Sequence, residues 1–376
     1  MMLRSFLPVG QGAFYCEQFY YRPDREKVNI IYDCGSSTDV KLVESQIRNN
    51  FEKGEVIHAL FISHLDDDHT NGIPFLLKYC KVKNMFFPLV TGTDKIYLYM
   101  QHIVDGGSAD SFAMRFLENP RRAFEWFYIE YTPMLHPVVA REQDIQQMDR
   151  GLDAIPVNSG TNVASMIFGN ALEEYKMYQR WCYLPFNFRQ PERYRQLQNA
   201  LNKEFGGDLD NEALHWIRER GKDADWRKIK KAYQAVKGSF NTNSMTLYSG
   251  LEDHERRQFI ETNRCSCKCS CGGKAAGCLY LGDYDASGVQ KWNDLQDAYK
   301  DYWRQIGCVQ VPHHGSRHNY NTELAELDVY YVISAGRSNR YHHPHSLVIK
   351  DLLFHERHPY IVTENQASAI ELRVNL

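Results

Sequence analysis

The chain has no apolar run near the roughly 20 residues that a membrane-spanning helix needs, and its start, Met1-Met2-Leu3-Arg4-Ser5-Phe6-Leu7-Pro8, turns polar too soon for a secretory signal. A cytoplasmic protein with no membrane partner is the expectation. Charge of one sign is also lacking: the formal net charge is −3 over 376 residues, so nothing draws the whole surface toward a polyanion. Any site for nucleic acid must therefore be a local patch. No internal repeat is present, which excludes solenoids and propellers. Ten cysteines are present, but Cys16, Cys34, Cys80 and Cys308 lie scattered at apolar strand ends of a large chain. That distribution fits reduced thiols in a cytosolic enzyme better than a disulfide framework. With 43% hydrophobic residues the chain can build one large domain with an insertion, or two ordinary domains.

What is present concentrates at Ser63-His64-Leu65-Asp66-Asp67-Asp68-His69-Thr70-Asn71-Gly72, directly after the apolar run Ala59-Leu60-Phe61-Ile62. A buried strand that stops at His and Asp fixes the backbone while its loop presents metal ligands. Two later apolar runs end the same way: Leu279-Tyr280-Leu281 at Gly282-Asp283, and Val309-Gln310-Val311-Pro312 at His313-His314-Gly315-Ser316. One Asp at a strand end is commonly a turn residue. Three such ends, in the order His-rich, Asp, His, suit a pair of metals about 3.5–4 Å apart, which needs a bridging carboxylate and ligands from separate strands.

Strand patterns dominate both ends of the chain, including Gly10 to Cys16, Val28 to Gly35, Ser244 to Tyr248 and Val329 to Ser334. The polar string Arg22 to Glu26 reads as a hairpin loop. Helical patterns run through Ser111 to Glu130, Ala171 to Arg180, and Glu192 to Lys237 with a break at Gly206-Gly207. The organisation expected is an N-terminal half at 1–94, a mostly helical insertion at 95–238 and a C-terminal half at 239–376.

The order Asp33, His64-x-Asp66-x-Asp68-His69, Asp283, His313-His314 resembles the metallo-β-lactamase superfamily. Within it the chain is most similar to the soluble hydrolase domain of the DNA-uptake channel protein ComEC, which also has Asp at the position of Asp66. Val9 to Gly12, Asn243 to Leu247, Val311 to Ser316, and Ser334 to Gly336 with Asn339, Tyr341, His343 and Pro344 extend the likeness across 6–92 and 239–376. The resemblance implies an α/β fold, a four-layer αββα sandwich. It implies that His64 and Asp66 hold one divalent metal, that Asp68 and His69 hold a second, and that Asp283 bridges them. His314 would complete the second site and His313 contact the substrate, though either of the pair could be the ligand. Asp33 would orient a ligand histidine. The superfamily's separate histidine between the first motif and Asp283 has no clear match, and His102, His136 and His215 are candidates by position alone.

A carboxylate at Asp66 makes the ligand set harder, which favours Mn²⁺ or Mg²⁺ beside Zn²⁺ and suits phosphoryl oxygens. Phosphodiester hydrolysis of DNA or RNA is the leading expectation, with Asp68, His313 and His343 as the catalytic residues and His313 or His343 assisting the leaving oxygen. His343, before Pro344, has an equal reading as a structural cap. Hydrolysis of a small phosphodiester or other ester is the alternative, favoured by a deep pocket closed by the insertion; a non-catalytic binding module is a third. Cys265, Cys267, Cys269 and Cys271 form either an additional zinc site, a redox or adventitious metal loop, or an exposed hairpin tip, since structural zinc prefers wider spacing in two pairs. Arginines and aromatics from Arg180 to Arg195 either stack bases or form a core under a solvated face. The insertion itself reads as a lid or as a docking surface for a protein partner.

Overall fold

The computed structural model describes residues 1–20, 27–90, 93–104, 106–141, 153–169, 181–188, 191–207, 225–235, 244–252, 259–262 and 273–374. Two sheets lie face to face. The first runs, edge to edge, Lys274–Ala275, Phe259–Thr262, Ile370–Val374, Met2–Phe6, Gly12–Phe19, Val28–Ser36, Val56–Phe61, Lys81–Pro88, Met134–Val139 and Val157–Asn158. The second runs Tyr360–Val362, Tyr330–Ser334, Ile306–Gln310, Gly277–Tyr280, Met245–Leu251 and Trp181–Asn187.

Strand alternation makes the layers. In Val28–Ser36, Ile30 and Tyr32 point between the sheets while Ile31 points outward. Three apolar cores follow. The outermost on one side joins Ile31 and Leu60 to Val43 and Ile47 of helix Val40–Asn50 and to Leu76 of helix Ile73–Tyr79. The middle core fills the space between sheets with Tyr15, Tyr32, Phe61, Phe86, Tyr183 and Tyr280. The third packs Trp292 and Leu295 of helix Val289–Ala298, and Val348 and Leu352 of helix Ser346–Phe354, onto Val309 and Ile333. Four layers in the order αββα result.

A buried polar network crosses the middle core. Arg4 donates from Nε to Glu17 Oε1 at 2.7 Å, and Tyr183, Ser249 and Tyr280 of the opposite sheet donate to the same carboxylate at 2.7, 2.7 and 2.9 Å. Every lone pair of the buried charge is thereby occupied, which is what makes burial of such a pair tolerable.

Residues 95–238 contribute strands as well as the expected helices. Met134–Val139 and Val157–Asn158 extend the first sheet, and Trp181–Asn187 pairs antiparallel with Met245–Leu251 in the second. The aromatics there explain the difference: Trp181, Tyr183 and Phe186 are buried in the cores, the bland reading of that stretch. Helices do build the rest. Thr93–Val104, Phe112–Glu118, Pro120–Trp126, Pro191–Phe205 and Asp225–Ala235 pack through Met100, Phe112, Phe124, Leu197 and Ile229 onto the outermost core. The 111–130 pattern is two helices because Asn119 is extended, capping the second through Oδ1 to Arg122 N before Pro120. On helix Asp225–Ala235, Lys231 pairs with Glu204 at 2.9 Å on an exposed face. Arg22 to Glu26, Ala171 to Arg180 and His215 lie outside the described residues.

Candidate metal centre

Three strand ends converge. Val56–Phe61 leads through Ile62 and Ser63 to His64 and on to the short helix Asp67–Thr70, Gly277–Tyr280 leads to Asp283, and Ile306–Gln310 leads to His313 and His314. Gly35 permits the first of these to seat: a Cβ there would lie 2.5 Å from Thr70 N and 2.6 Å from the carbonyl carbon of Asp68. At Gly282 the backbone takes φ +52°, and an added Cβ would meet Ser63 and Ser244 at 2.7 Å.

Two ligand groups form where these ends meet: His64, His69 and Asp283, and Asp68, His69 and His314, the donor atoms in each lying within 4.8 Å of one another. His69 Nε2 stands 3.3 Å from Asp283 Oδ1, His64 Nε2 3.7 Å from Asp283 Oδ2, and His314 Nε2 3.2 Å from Asp68 Oδ2. Asp66 Oδ2 is 3.7 Å from His64 Nε2, on the more exposed side. The geometry therefore links His69 and Asp283 to the His64 side as well as to the Asp68 side. Of the histidine pair, His314 is the one that joins a ligand group. His313 Nε2 instead lies 3.5 Å from Asp283 Oδ2 and lines the open cavity.

The surroundings assign each ring's tautomer. His69 Nδ1 donates to Asp33 Oδ2 at 2.8 Å, and His314 Nδ1 donates to the Ser334 carbonyl at 2.8 Å. His64 Nδ1 lies 2.9 Å from Ser63 Oγ and 3.1 Å from Ser244 Oγ. Ser63 Oγ donates its proton to Asp33 Oδ2 and so can only accept from His64 Nδ1, while Ser244 Oγ accepts from Asp283 N. His64 Nδ1 is thus the donor there. All three Nε2 atoms face the centre, the arrangement that a metal ligand needs. His64 Nε2, His69 Nε2 and Asp283 Oδ1 are buried without a hydrogen-bond partner. Leaving such atoms unpaired costs about 1–3 kcal/mol each, so the donor set fits divalent cations.

Electrostatics carry the same signature. Withdrawal from water, with repulsion from Asp68 and Asp283, pushes the Asp66 carboxyl up to about 7. Burial would raise Asp68 too, but the charges of His69 and His314 hold it down at about 2. Burial beside His69 lowers His64 to about 4, so its ring is neutral at pH 7. Burial would lower His69 likewise, yet Asp283, Asp33 and Asp68 raise it well above the usual histidine range. Opposed shifts among touching groups mark a functional site. Strain collects here as well: Asp33, His313 and His314 have φ of +57°, +48° and +54°, conformations that cost on the order of 1–3 kcal/mol each.

The ligand groups open into a cavity of about 1200 Å³. One side comes from helices of the 95–238 span: Gln101, His102, Gly106, Gly107 and Tyr233 line it. His102 Nε2 approaches Asp67 Oδ2 at 3.7 Å while bonding the Ser108 carbonyl at 3.1 Å, so it flanks the ligands without joining either group. His136 is buried in the first sheet between Asn84 and the Ile155 carbonyl. His343 lines the cavity, its ring 5.6 Å from that of His313, and burial beside His313 lowers it to about 4. Ser63 and Ser244 stand in the motifs read from the sequence, but without the roles they take here beside His64, and Asn319, which bonds His313, escapes sequence reading because a single polar residue beside a motif looks like an ordinary turn former. Cys265, Cys267, Cys269 and Cys271 lie outside the described residues; Cys16, Cys34, Cys80, Cys182, Cys278 and Cys308 are buried free thiols.

Residues 12–88 match the family model described as Metallo-beta-lactamase superfamily. No curated protein matches the chain. Among solved structures, MEM-A1, a subclass B3 metallo-beta-lactamase isolated from a soil metagenome library, is similar over 83% of this chain and 79% of its own, at 12% identity and a TM-score of 0.30. The described residues form an α/β, four-layer sandwich, and the stretch similar to that family holds His64, Asp66, Asp68 and His69 of the two groups. Among the described residues no helix is long and apolar enough to cross a membrane.

Proposed function

We propose that the protein is a metal-dependent phosphodiesterase whose site takes two divalent ions. The observation that carries this reading is the pair of ligand groups meeting at His69, with buried, unpartnered His64 Nε2, His69 Nε2 and Asp283 Oδ1 facing inward. His64, His69, Asp283 and Asp66 would hold one ion; Asp68, His69, His314 and Asp283 surround the position of the other. Three carboxylates among the ligands make the site hard and oxygen-rich, suited to Mn²⁺ or Zn²⁺ acting on phosphoryl oxygens. Bound there, the ions would polarise the phosphoryl group and lower the pKa of water.

The chain's own residues supply the rest. Asp33 and the two serines keep the ligand rings in register. Asn319 donates from Nδ2 to the Asp283 carbonyl at 3.0 Å, so its Oδ1, 2.9 Å from His313 Nδ1, accepts that ring's proton donor. His313 Nε2 is left facing the cavity beside Asp283, placed to pass a proton to a leaving oxygen. His343, neutral near pH 7, is placed to orient that ring rather than to serve as the acid.

Cleavage of DNA or RNA is one form of this activity; cleavage of a small phosphodiester is the other. The wall built by Gln101, His102, Gly107 and Tyr233 favours a small phosphodiester, or a single strand threaded by its end, over a duplex laid across an open surface. The remetallated protein should contain close to two divalent ions per chain and hydrolyse bis(p-nitrophenyl) phosphate. Its rates on single-stranded DNA, duplex DNA and RNA then choose between the forms. Failure to hydrolyse any of the four with two ions bound would reject the phosphodiesterase reading.

A further inference from the structure

Beside the ligand groups the cavity carries two strongly basic side chains, Lys291 and Arg340, the only lysine and arginine among the described residues that line it. Each is held in place by a different device. Lys291, on helix Val289–Ala298, pairs through Nζ with Asp285 Oδ2. Asp285 is buried and is itself fixed by Ser287, whose backbone N–H donates at 3.0 Å and whose hydroxyl donates at 2.5 Å. An ammonium has three donors, and Asp285 takes one of them; the Lys291 side chain is 28% exposed toward the cavity.

Arg340 is reached through a ladder of rings. Its guanidinium lies 4.8 Å from the centre of the exposed Tyr341 ring, and one of its nitrogens donates to Tyr341 Oη at 2.5 Å. Tyr341 stacks on His343 at 5.8 Å and 17°, His343 meets His313 at 5.6 Å, and His313 Nε2 touches Asp283 Oδ2 at 3.5 Å. Both cations are thus tied to the neighbourhood of Asp283, one through Asp285 and the start of helix Val289–Ala298 and the other through three rings in contact, Tyr341 stacked on His343 and His343 edge-on to His313.

Charge decides what such groups would meet. Five lining carboxylates, Asp66, Asp67, Asp68, Asp283 and Asp285, outnumber the two basic residues. Leaving the histidines out of the count, the lining is net negative, and two divalent ions would reverse its sign. A metal-loaded cavity then attracts an anion, and a scissile phosphate at the metals leaves Lys291 and Arg340 without a role. We propose that Lys291 and Arg340 form a second anion subsite that binds the phosphate next to the scissile one, so that the preferred substrates carry at least two phosphates. The proposal deepens the phosphodiesterase reading and rests on it for the identity of the first phosphate. Tyr341, between Arg340 and His343, offers the intervening nucleoside an aromatic edge.

The test uses two non-cleavable probes, thymidine 3′,5′-bisphosphate and thymidine 5′-monophosphate, titrated calorimetrically into the Mn²⁺-loaded full chain. The wild type should bind the bisphosphate about tenfold or more tighter, as expected for an added charge-assisted contact. Lys291→Gln with Arg340→Gln should erase that preference and leave monophosphate affinity within about twofold, while Lys291→Arg with Arg340→Lys should restore most of it. Unfolding midpoints of each variant establish that the fold persists. No preference in the wild type, or a preference that survives the double glutamine variant, overturns the proposal. Hydrolysis of bis(p-nitrophenyl) phosphate without the preference removes the subsite and keeps the reaction; the preference without hydrolysis does the reverse.

Discussion

Asp33→Asn separates the role of the buried carboxylate from that of the ligands it supports. Asp33 is fully buried and accepts three hydrogen bonds: Ser63 N to Oδ1 at 2.7 Å, and Ser63 Oγ and His69 Nδ1 to Oδ2 at 2.7 and 2.8 Å. Its backbone sits at φ +57°, a conformation that Asn adopts as readily, so the substitution acts through the side chain alone. An amide accepts at one end only. With its nitrogen toward Ser63 N, two donors collide; with its nitrogen toward His69, the ring must turn its proton to Nε2 and cease to be a ligand. Loss of such an orienting partner costs about 10–100-fold in metal affinity, and because His69 belongs to both ligand groups, both ions should weaken together. The lost charged hydrogen bonds should also cost about 1.5–3 kcal/mol of stability. Asp33 is one of the anions that hold the His69 pKa up against burial, so protons compete with metal in the wild type as pH falls through that raised value. In the variant the competition should begin at lower pH. Competition titration with a chromogenic chelator across pH 5–9, paired with denaturant unfolding, measures all three quantities. Wild-type affinity for both ions at pH 7, with stability alone reduced, would refute the assignment of Asp33 as the orienting group.

Asp283→Asn should bind far less of both ions and lose nearly all hydrolysis while its unfolding midpoint stays close to wild type, because Asp283 faces His64, His69 and His313 at once; an ordinary turn Asp would leave metal content unchanged. Asp66→His should move the preference from Mn²⁺ toward Zn²⁺ and lower the Mn²⁺-supported rate, and Asp66→Ala should weaken the His64 side alone; equal rates with the two metals in wild type and Asp66→His would show that ligand hardness does not set the choice. His58, on strand Val56–Phe61 just ahead of His64 and buried in the first sheet, accepts Asn29 N at Nδ1 at 3.3 Å and is lowered by burial to about 4. Its folded pKa lies below the unfolded value near 6.5, so its contribution is intact above about pH 6.5 and is lost as pH falls toward 4, by at most about 3 kcal/mol; the difference in unfolding free energy between wild type and His58→Asn should follow that slope, and a flat difference would exclude it.

Local chemistry wrote the strand ends plainly. Apolar runs that stop at His64, Asp283 and His313 are legible because a buried strand and its exposed terminus differ within a few residues, and the strands expected at Val28 to Gly35, Leu279 to Leu281 and Val329 to Ser334 are all present in the sheets. The stretch from Trp181 to Phe186 was harder to read, because aromatic, apolar segments serve a strand between two sheets as well as a helix face, and only pairing with Met245–Leu251 decides. The ligand types were visible in the chain, but not which atoms meet. Adjacent residues His313 and His314 have the same side chain; left-handed backbone at both turns His314 to the Ser334 carbonyl and Asp68, and His313 to Asn319 and the cavity. Asp66 and His69 are three residues apart, yet the short helix places His69 in contact with Asp33 and Asp283 and leaves Asp66 half-exposed. Lys291 and Arg340 carry no motif and lie 49 positions apart in the numbering; only the stacking of the second sheet's loops over the first brings both to the metal cavity. Sequence by itself determined the strand-rich halves and the residue types of the site, since those follow from hydrophobic pattern and donor chemistry over short spans, while the αββα class came through the resemblance that those residues carry. Tertiary structure decided which nitrogen and oxygen atoms face one another, because that depends on register and backbone handedness summed over strands far apart in the chain.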